Sequence, residues 1–214
     1  MSQQNPDLID VATAYDNVAE LYTRITADLL ASNPFDRAML TVFAELVRGN
    51  GSGPVADLGC GPGRLTGHLA ELGLDVFGID LSPQMIELAR QAHPTLRFDE
   101  GSMESLALAD ASLAGIVAWY SIIHLTPDRV PDVLAELHRV LRPEGHALLA
   151  FFGADAADVA AAFDHKVVRA YRWAPDRLAE LLVAQGFSVV LQSVRAPLPE
   201  ERFTQGYLLV SKDR

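Results

Sequence analysis

The feature that most limits what this chain can fold into is the passage VADLGCGPGRLTGHLAELG, Val55 to Gly73, where a short apolar run meets three alternating glycines and then a helical pattern. Gly59, Gly61 and Gly63 stand where a strand would turn into a helix. A residue without a Cβ lets the backbone turn tightly there and approach a ligand, and the N–H groups of the helix point outward. The remaining sequence repeats the theme. After DVFGID comes a helix opened by Ser82-Pro83, then the runs TLRFD, LAGIVAWY, HALLAFFG, FSVVLQSV and GYLLVSK, with helices expected at about 128–140 and 175–185. Serine as N-cap with proline next is a strong start signal, because the first helical position has no use for an N–H. Alternating strands and helices imply a mostly parallel sheet covered on both faces. The last two strands, joined without a helix, are expected to pair antiparallel.

Ahead of this stands a helical segment over about 10–31 and 35–48, with Leu21, Ile25 and Leu29 on one stripe and Phe35, Met39, Val42, Phe43 and Leu46 on another. Asn33-Pro34 divides the two helices, and GNGSGP, Gly49 to Pro54, separates them from the rest. With 214 residues, half of them apolar, the chain is expected to form a single domain. A net charge of −11 offers no basic footprint for nucleic acid or an anionic membrane surface. The uncharged run Ala111 to Pro127 is too short and too polar to span a bilayer. Cys60 is the single cysteine, and the start MSQQNPDLID lacks the pattern of a secretory signal, so a cytoplasmic location is expected. His93, His138 and His146 have no partners at metal-ligand spacing, so no metal is expected.

The glycine loop alone fits any mononucleotide fold, or a turn needed only for packing. Two details narrow it. In the dinucleotide fingerprint G-x-G-x-x-G the third glycine falls where this chain has Arg64. Asp57, ahead of the glycines, would repel a pyrophosphate but accept from an ammonium group. A nicotinamide-dependent oxidoreductase is therefore disfavoured, and an amino-acid-bearing ligand is favoured. Asp80, at the end of VFGID, lies roughly 20 residues past the loop, the spacing at which a carboxylate accepts from ribose hydroxyls; alone it would also suit the positive end of a helix dipole.

These motifs resemble the class I S-adenosylmethionine-dependent methyltransferases, in particular the small-molecule branch related to ubiquinone biosynthesis. DLGCGPG looks like the first motif of that family, FGIDLSPQMIELAR the second, IVAWYSIIHL the fourth-strand motif, and HRVLRPEGHALLAF the helix, turn and strand that follow. The resemblance runs from about Tyr15 to Lys212. It implies a doubly wound, Rossmann-like α/β fold of seven strands with the last antiparallel, an N-terminal helical lid over 1–49, a core over 50–214 and a substrate-side insertion at 153–174. It further implies that Asp57, Gly59 and Gly61 hold the methionyl end of S-adenosylmethionine and Asp80 the ribose. Leu81 and Met85 would lie against adenine, with Gly101, Ser102 and Met103 capping it. Ser102 replaces the usual aspartate, and Glu144 in LRPEG replaces a glycine.

The implied reaction is in-line transfer of a methyl group to an O, N or C atom of a small aromatic or amphipathic metabolite, leaving S-adenosylhomocysteine. A protein that binds the cofactor without transferring the methyl, or uses it for another reaction, would carry the same motifs. His124, at the carboxyl edge of the sheet where open α/β proteins bind ligands, is the candidate base; a histidine capping the strand exit is the alternative. Tyr15 and Tyr22 share a face of the first helix and by the resemblance cover the cofactor. Trp119 and Tyr120 could form an aromatic wall toward cofactor and acceptor, or belong to the core. FDHKVVRAYRW gathers His165, Lys166, Arg169, Arg172 and Trp173, of which His165, Arg169 and Trp173 are the candidates to orient a carboxylate or phenolate, unless they form a solvated helix face. A monomer or homodimer is expected.

Overall fold

Four apolar runs of this sequence lie side by side as parallel strands, and their order is what creates the site. The computed structural model describes residues 6–155 and 159–214; residues 1–5 of the expected lid and 156–158 of the expected insertion lie outside the described residues. The N-terminal part forms α1 (Pro6–Thr26), a single turn α2 (Leu29–Ser32) and α3 (Pro34–Gly49). There follow β1 (Pro54–Leu58), α4 (Arg64–Glu71), β2 (Asp75–Asp80), α5 (Pro83–Ala92), β3 (Arg97–Glu100), β4 (Leu113–Trp119), α6 (Val130–Val140) and β5 (Leu141–Phe152). The chain then forms the short strands β6 (Ala160–Phe163) and β7 (Ala170–Trp173), α7 (Pro175–Ala184), β8 (Phe187–Arg195) and β9 (Gln205–Lys212).

The main sheet has seven strands in the order β3-β2-β1-β4-β5-β9-β8. The pairs up to β5 are parallel, and β9 runs antiparallel to both β5 and β8. The chain reverses direction across the sheet between β1 and β4, so the loops leaving those two strands diverge and open a crevice at their carboxyl ends. Every residue of β4 is buried, as a central strand covered on both faces requires. Ile116 and Ala118 face the cluster built with α6 and α7, and Val117 and Trp119 face the one built with α3 and α4.

Local signals explain the helix starts. Asn33 Oδ1 accepts from the N–H groups of Phe35 and Asp36, with Pro34 in the first turn. Ser82 Oγ accepts from Met85 N at 3.1 Å, with Pro83 following. The N-terminal stripe behaves differently from a core stripe: Leu21, Ile25 and Leu29 are more than half exposed. The face of α1 turned inward carries Val11, Ala12, Tyr15, Ala19 and Tyr22 instead. The helix also stops at Thr26, short of the expected 31.

Among the described residues the segment after β5 forms a β-hairpin, in which β6 and β7 pair antiparallel from Ala160↔Trp173 to Phe163↔Ala170. Glu144 sits at positive φ at an exposed turn, where its carbonyl accepts from Asn50 Nδ2 and its carboxylate meets Arg214.

Candidate active site

The crevice at the carboxyl ends of β1, β2 and β4 is roofed by α1 and holds a cavity of about 100 Å³ that is partly open to solvent. Gly59 lies at φ +73, and a Cβ there would sit 2.4 Å from the Cβ of Ser121, so the loop leaving β4 can pass only over a glycine. Gly61 is at φ +54 with nothing but Tyr22 Cε1 at 4.0 Å above it, which leaves its backbone open to a ligand. Asp80 organises this loop: Gly61 N donates to one carboxylate oxygen at 2.7 Å and Ser82 N to the other at 2.9 Å. Each oxygen keeps a lone pair free. Burial nevertheless raises the pKa of Asp80 above the ordinary carboxylate value, outweighing its backbone donors.

Asp57 lies deeper and is 1% exposed, accepting from Thr66 Oγ1 at 2.7 Å. Loss of water is the main reason its pKa is pushed up to about 7, against the lowering effect of the Thr66 hydroxyl. It opens on a smaller cavity, shared with Tyr22, Gly61, Arg64 and Trp119, that adjoins the main cleft. Leu81, Met85, Ser102 and Met103 line the far end of the cleft, and Tyr120 and Ser121 the near end. Ser102 Oγ already accepts from Glu104 N at 3.1 Å, which leaves it one acceptor lone pair.

Tyr15 and Tyr22 meet edge to face at 5.5 Å inside the roof. The Tyr15 hydroxyl donates to His124 Nε2 at 2.7 Å, while Nδ1 of the same ring donates to the Arg169 carbonyl at 3.4 Å. A carbonyl can only accept, so the proton of the neutral ring is on Nδ1. Burial, and then the neighbouring His165, lower the pKa of His124 to about 4, and burial raises that of Tyr15. Both groups are therefore neutral at neutral pH.

Of the candidates on the hairpin, His165 stacks edge to face on His124 at 5.4 Å. Arg169 reaches the site only through its backbone carbonyl, and its guanidinium lies over Tyr171. Trp173 is a correction to the sequence reading: it is 0% exposed and belongs to the core cluster with Leu178 and Phe187, so it presents no surface to an acceptor. Strand β7 buries its two end residues, Ala170 and Trp173, and leaves Tyr171 and Arg172 half-buried.

Sequence reasoning missed Asp16. Its carboxylate accepts from Ser82 Oγ at 2.5 Å and from Gln84 N at 3.1 Å, which ties α1 to the first turn of α5. Its place beside Tyr15 on the inward face was the available signal. Ser121 was also missed; its hydroxyl lies in the cleft wall, buried and without a hydrogen-bond partner.

An orphaned hydroxyl, an open backbone at Gly61, a ribose-spaced carboxylate and a buried acid fit a nucleoside joined to an amino acid. Comparison with known proteins agrees. Residues 55–145, which include the glycine loop and strands β1 to β4, match a methyltransferase domain family. Among relatives, the chain is 31% identical over 134 residues to a malonyl-[acyl-carrier protein] O-methyltransferase of Pectobacterium atrosepticum, covering 63% of this chain and 47% of that one. It is 30% identical over 144 residues to a demethylmenaquinone methyltransferase of Chlorobaculum parvum, covering 65% and 58%. The chain thus spans about half the length of these curated relatives. The magnesium protoporphyrin IX methyltransferase of Synechocystis, solved with bound S-adenosylmethionine, superposes over 100% of both chains with a TM-score of 0.74 at 18% identity, a likeness of fold. Among the described residues no helix is long and apolar enough to cross a membrane, and no cluster of three or more metal-ligating side chains occurs.

Proposed function

We propose that this protein binds S-adenosylmethionine beneath α1, acting as a lid, and transfers its methyl group by in-line displacement to an O, N or C atom of a small aromatic or amphipathic acceptor. The observation that carries the reading is the pairing of Asp80, held by Gly61 and Ser82, with the buried Asp57 across one glycine loop. When bound, the cofactor supplies a methyl group already activated by a sulfonium. Asp57 accepts from the ammonium of the amino-acid end, and Arg64, on the same cavity, faces its carboxylate. Asp80 accepts from the ribose with its remaining lone pairs. Leu81 and Met85 cover adenine, and Ser102 and Met103 meet its edge. Tyr15, Tyr22 and Trp119 exclude water from the reacting centre.

Positioning supplies most of the rate in such a displacement. His124 adds a proton acceptor at Nε2 once Tyr15 gives way to the acceptor. An imidazole with a pKa of about 4 is a weak base. It suits an acceptor oxygen or nitrogen that turns strongly acidic only as the methyl arrives. The acidic surface disfavours nucleic acid as substrate.

Calorimetric titration with S-adenosylmethionine and, separately, S-adenosylhomocysteine tests the binding. Micromolar affinity for both is expected, and no binding of either would overturn the reading. A methylated product, read as a mass shift on aromatic acceptors, then distinguishes transfer from binding alone.

A further inference from the structure

Tyr120, on the cleft wall, begins a band of half-buried aromatic rings that runs along the edge of the sheet and that the cofactor reading does not use. Tyr120 meets Phe152 at 5.0 Å, Phe152 meets Phe163 at 5.6 Å, and Phe163 meets Phe203 at 5.0 Å. These rings come from the exits of β4 and β5, from the hairpin and from the β8–β9 connection, so they converge at one edge of the sheet. Rings arranged in this way offer faces and edges to a flat guest.

The far end of the band is cationic. The guanidinium of Arg172 lies 4.6 Å, and that of Arg202 4.8 Å, from the centroid of the Phe203 ring. Arg202 also donates to the Asp164 carbonyl, which holds the β8–β9 connection against the hairpin. Among the described residues neither arginine has a carboxylate partner, although the chain carries 28 acidic residues against 17 Lys and Arg. Arg172 Nε is buried with no hydrogen-bond partner. His165, between this end and His124, accepts from Val167 N through Nδ1, so its proton is on Nε2 and can be donated. Two guanidiniums without a carboxylate partner, held against one ring in an acidic protein, leave donors free for an anion.

We propose that the acceptor is a flat, conjugated molecule carrying a carboxylate or equivalent anion at the end remote from the methylated atom, with Arg172 and Arg202 receiving that anion and Tyr120, Phe152 and Phe163 stacking its rings. This rests on the methyltransferase reading above, which sets the reacting end of the acceptor at His124. It replaces Arg169 and Trp173 as acceptor-binding groups, since one meets the site by its backbone and the other lies in the core.

The test uses the full chain saturated with S-adenosylhomocysteine, whose binding is measured first. Calorimetric titration with 2-naphthoate is compared with 2-naphthamide, the same rings without the charge. The carboxylate should bind about tenfold more tightly or better. R172Q and R202Q should each remove most of that preference while leaving S-adenosylhomocysteine affinity unchanged, and R177Q, whose guanidinium is paired with Glu180 on α7, should keep it. Failure to bind S-adenosylhomocysteine overturns both readings. Normal binding of it with equal affinity for the two probes, with no binding of either, or with a preference that survives both substitutions, overturns the anionic acceptor alone. R202Q alters an exposed side chain, so its result stands even if R172Q does not fold.

Discussion

The two halves of the cleft are built from different materials. On the side proposed to hold the cofactor, the polar groups are backbone N–H groups and two buried carboxylates fixed by β1, β2 and the helices that follow them. On the side proposed to hold the acceptor they are side chains, aromatic and cationic, carried by a four-residue-strand hairpin and a connecting loop. A backbone cradle dictates which residue types can occupy it, because a Cβ at Gly59 would strike Ser121. A side-chain lining constrains only chemistry and can be changed residue by residue. The first half is therefore suited to hold one ligand and the second to be adapted to many.

The largest expected effect tests whether Trp173 belongs to either half. Trp173→Ala should lower stability by about 3–5 kcal/mol, as for a fully buried indole, in chemical denaturation. A variant of normal stability with impaired acceptor binding would return this residue to the acceptor side. Next, Asp80→Ala should weaken S-adenosylhomocysteine binding by about 3 kcal/mol or more, from two charge-assisted hydrogen bonds at roughly 1.5–3 kcal/mol each. Calorimetry reads this, and unchanged affinity would remove the ribose assignment. Tyr15→Phe deletes one neutral donor to His124, so cofactor affinity should fall about fivefold, or ~1 kcal/mol.

The smallest effect is a proton count. Asp57 in the free protein has a pKa pushed up to about 7, so at pH 6.5 it is mostly protonated. An ammonium partner favours the carboxylate, so binding should release on the order of half a proton or more at that pH, and affinity should fall as pH drops below 7. Titration in buffers of different ionisation enthalpy measures the release, and Asp57→Asn should abolish it. Uptake in place of release would mean that the ammonium lies elsewhere.

The same contrast explains what could be read from the sequence. The glycine turn at Gly59 and Gly61 and the Ser82-Pro83 helix start were legible because backbone geometry favours those residue types there. The helical stripe of Leu21, Ile25 and Leu29 gave the right element and the wrong inner face: periodicity reveals that one side is apolar but not what it covers. The hairpin was hidden because Ala160, Ala161 and Ala162 favour helix, and only pairing with β7 makes them a strand. Phe203 and Arg202 lie in a connection without periodicity, so nothing local marks them as part of the proposed acceptor site.

The carboxylate of Asp16 belongs at once to the roof of the cleft and to the start of the helix beneath it. Any outward swing of α1 strips two hydrogen bonds from the first turn of α5, beside the loop that carries Asp80. If α1 is the lid proposed above, opening the cleft and keeping its floor intact are coupled, so a ligand that steadies the floor would also hold α1 in place.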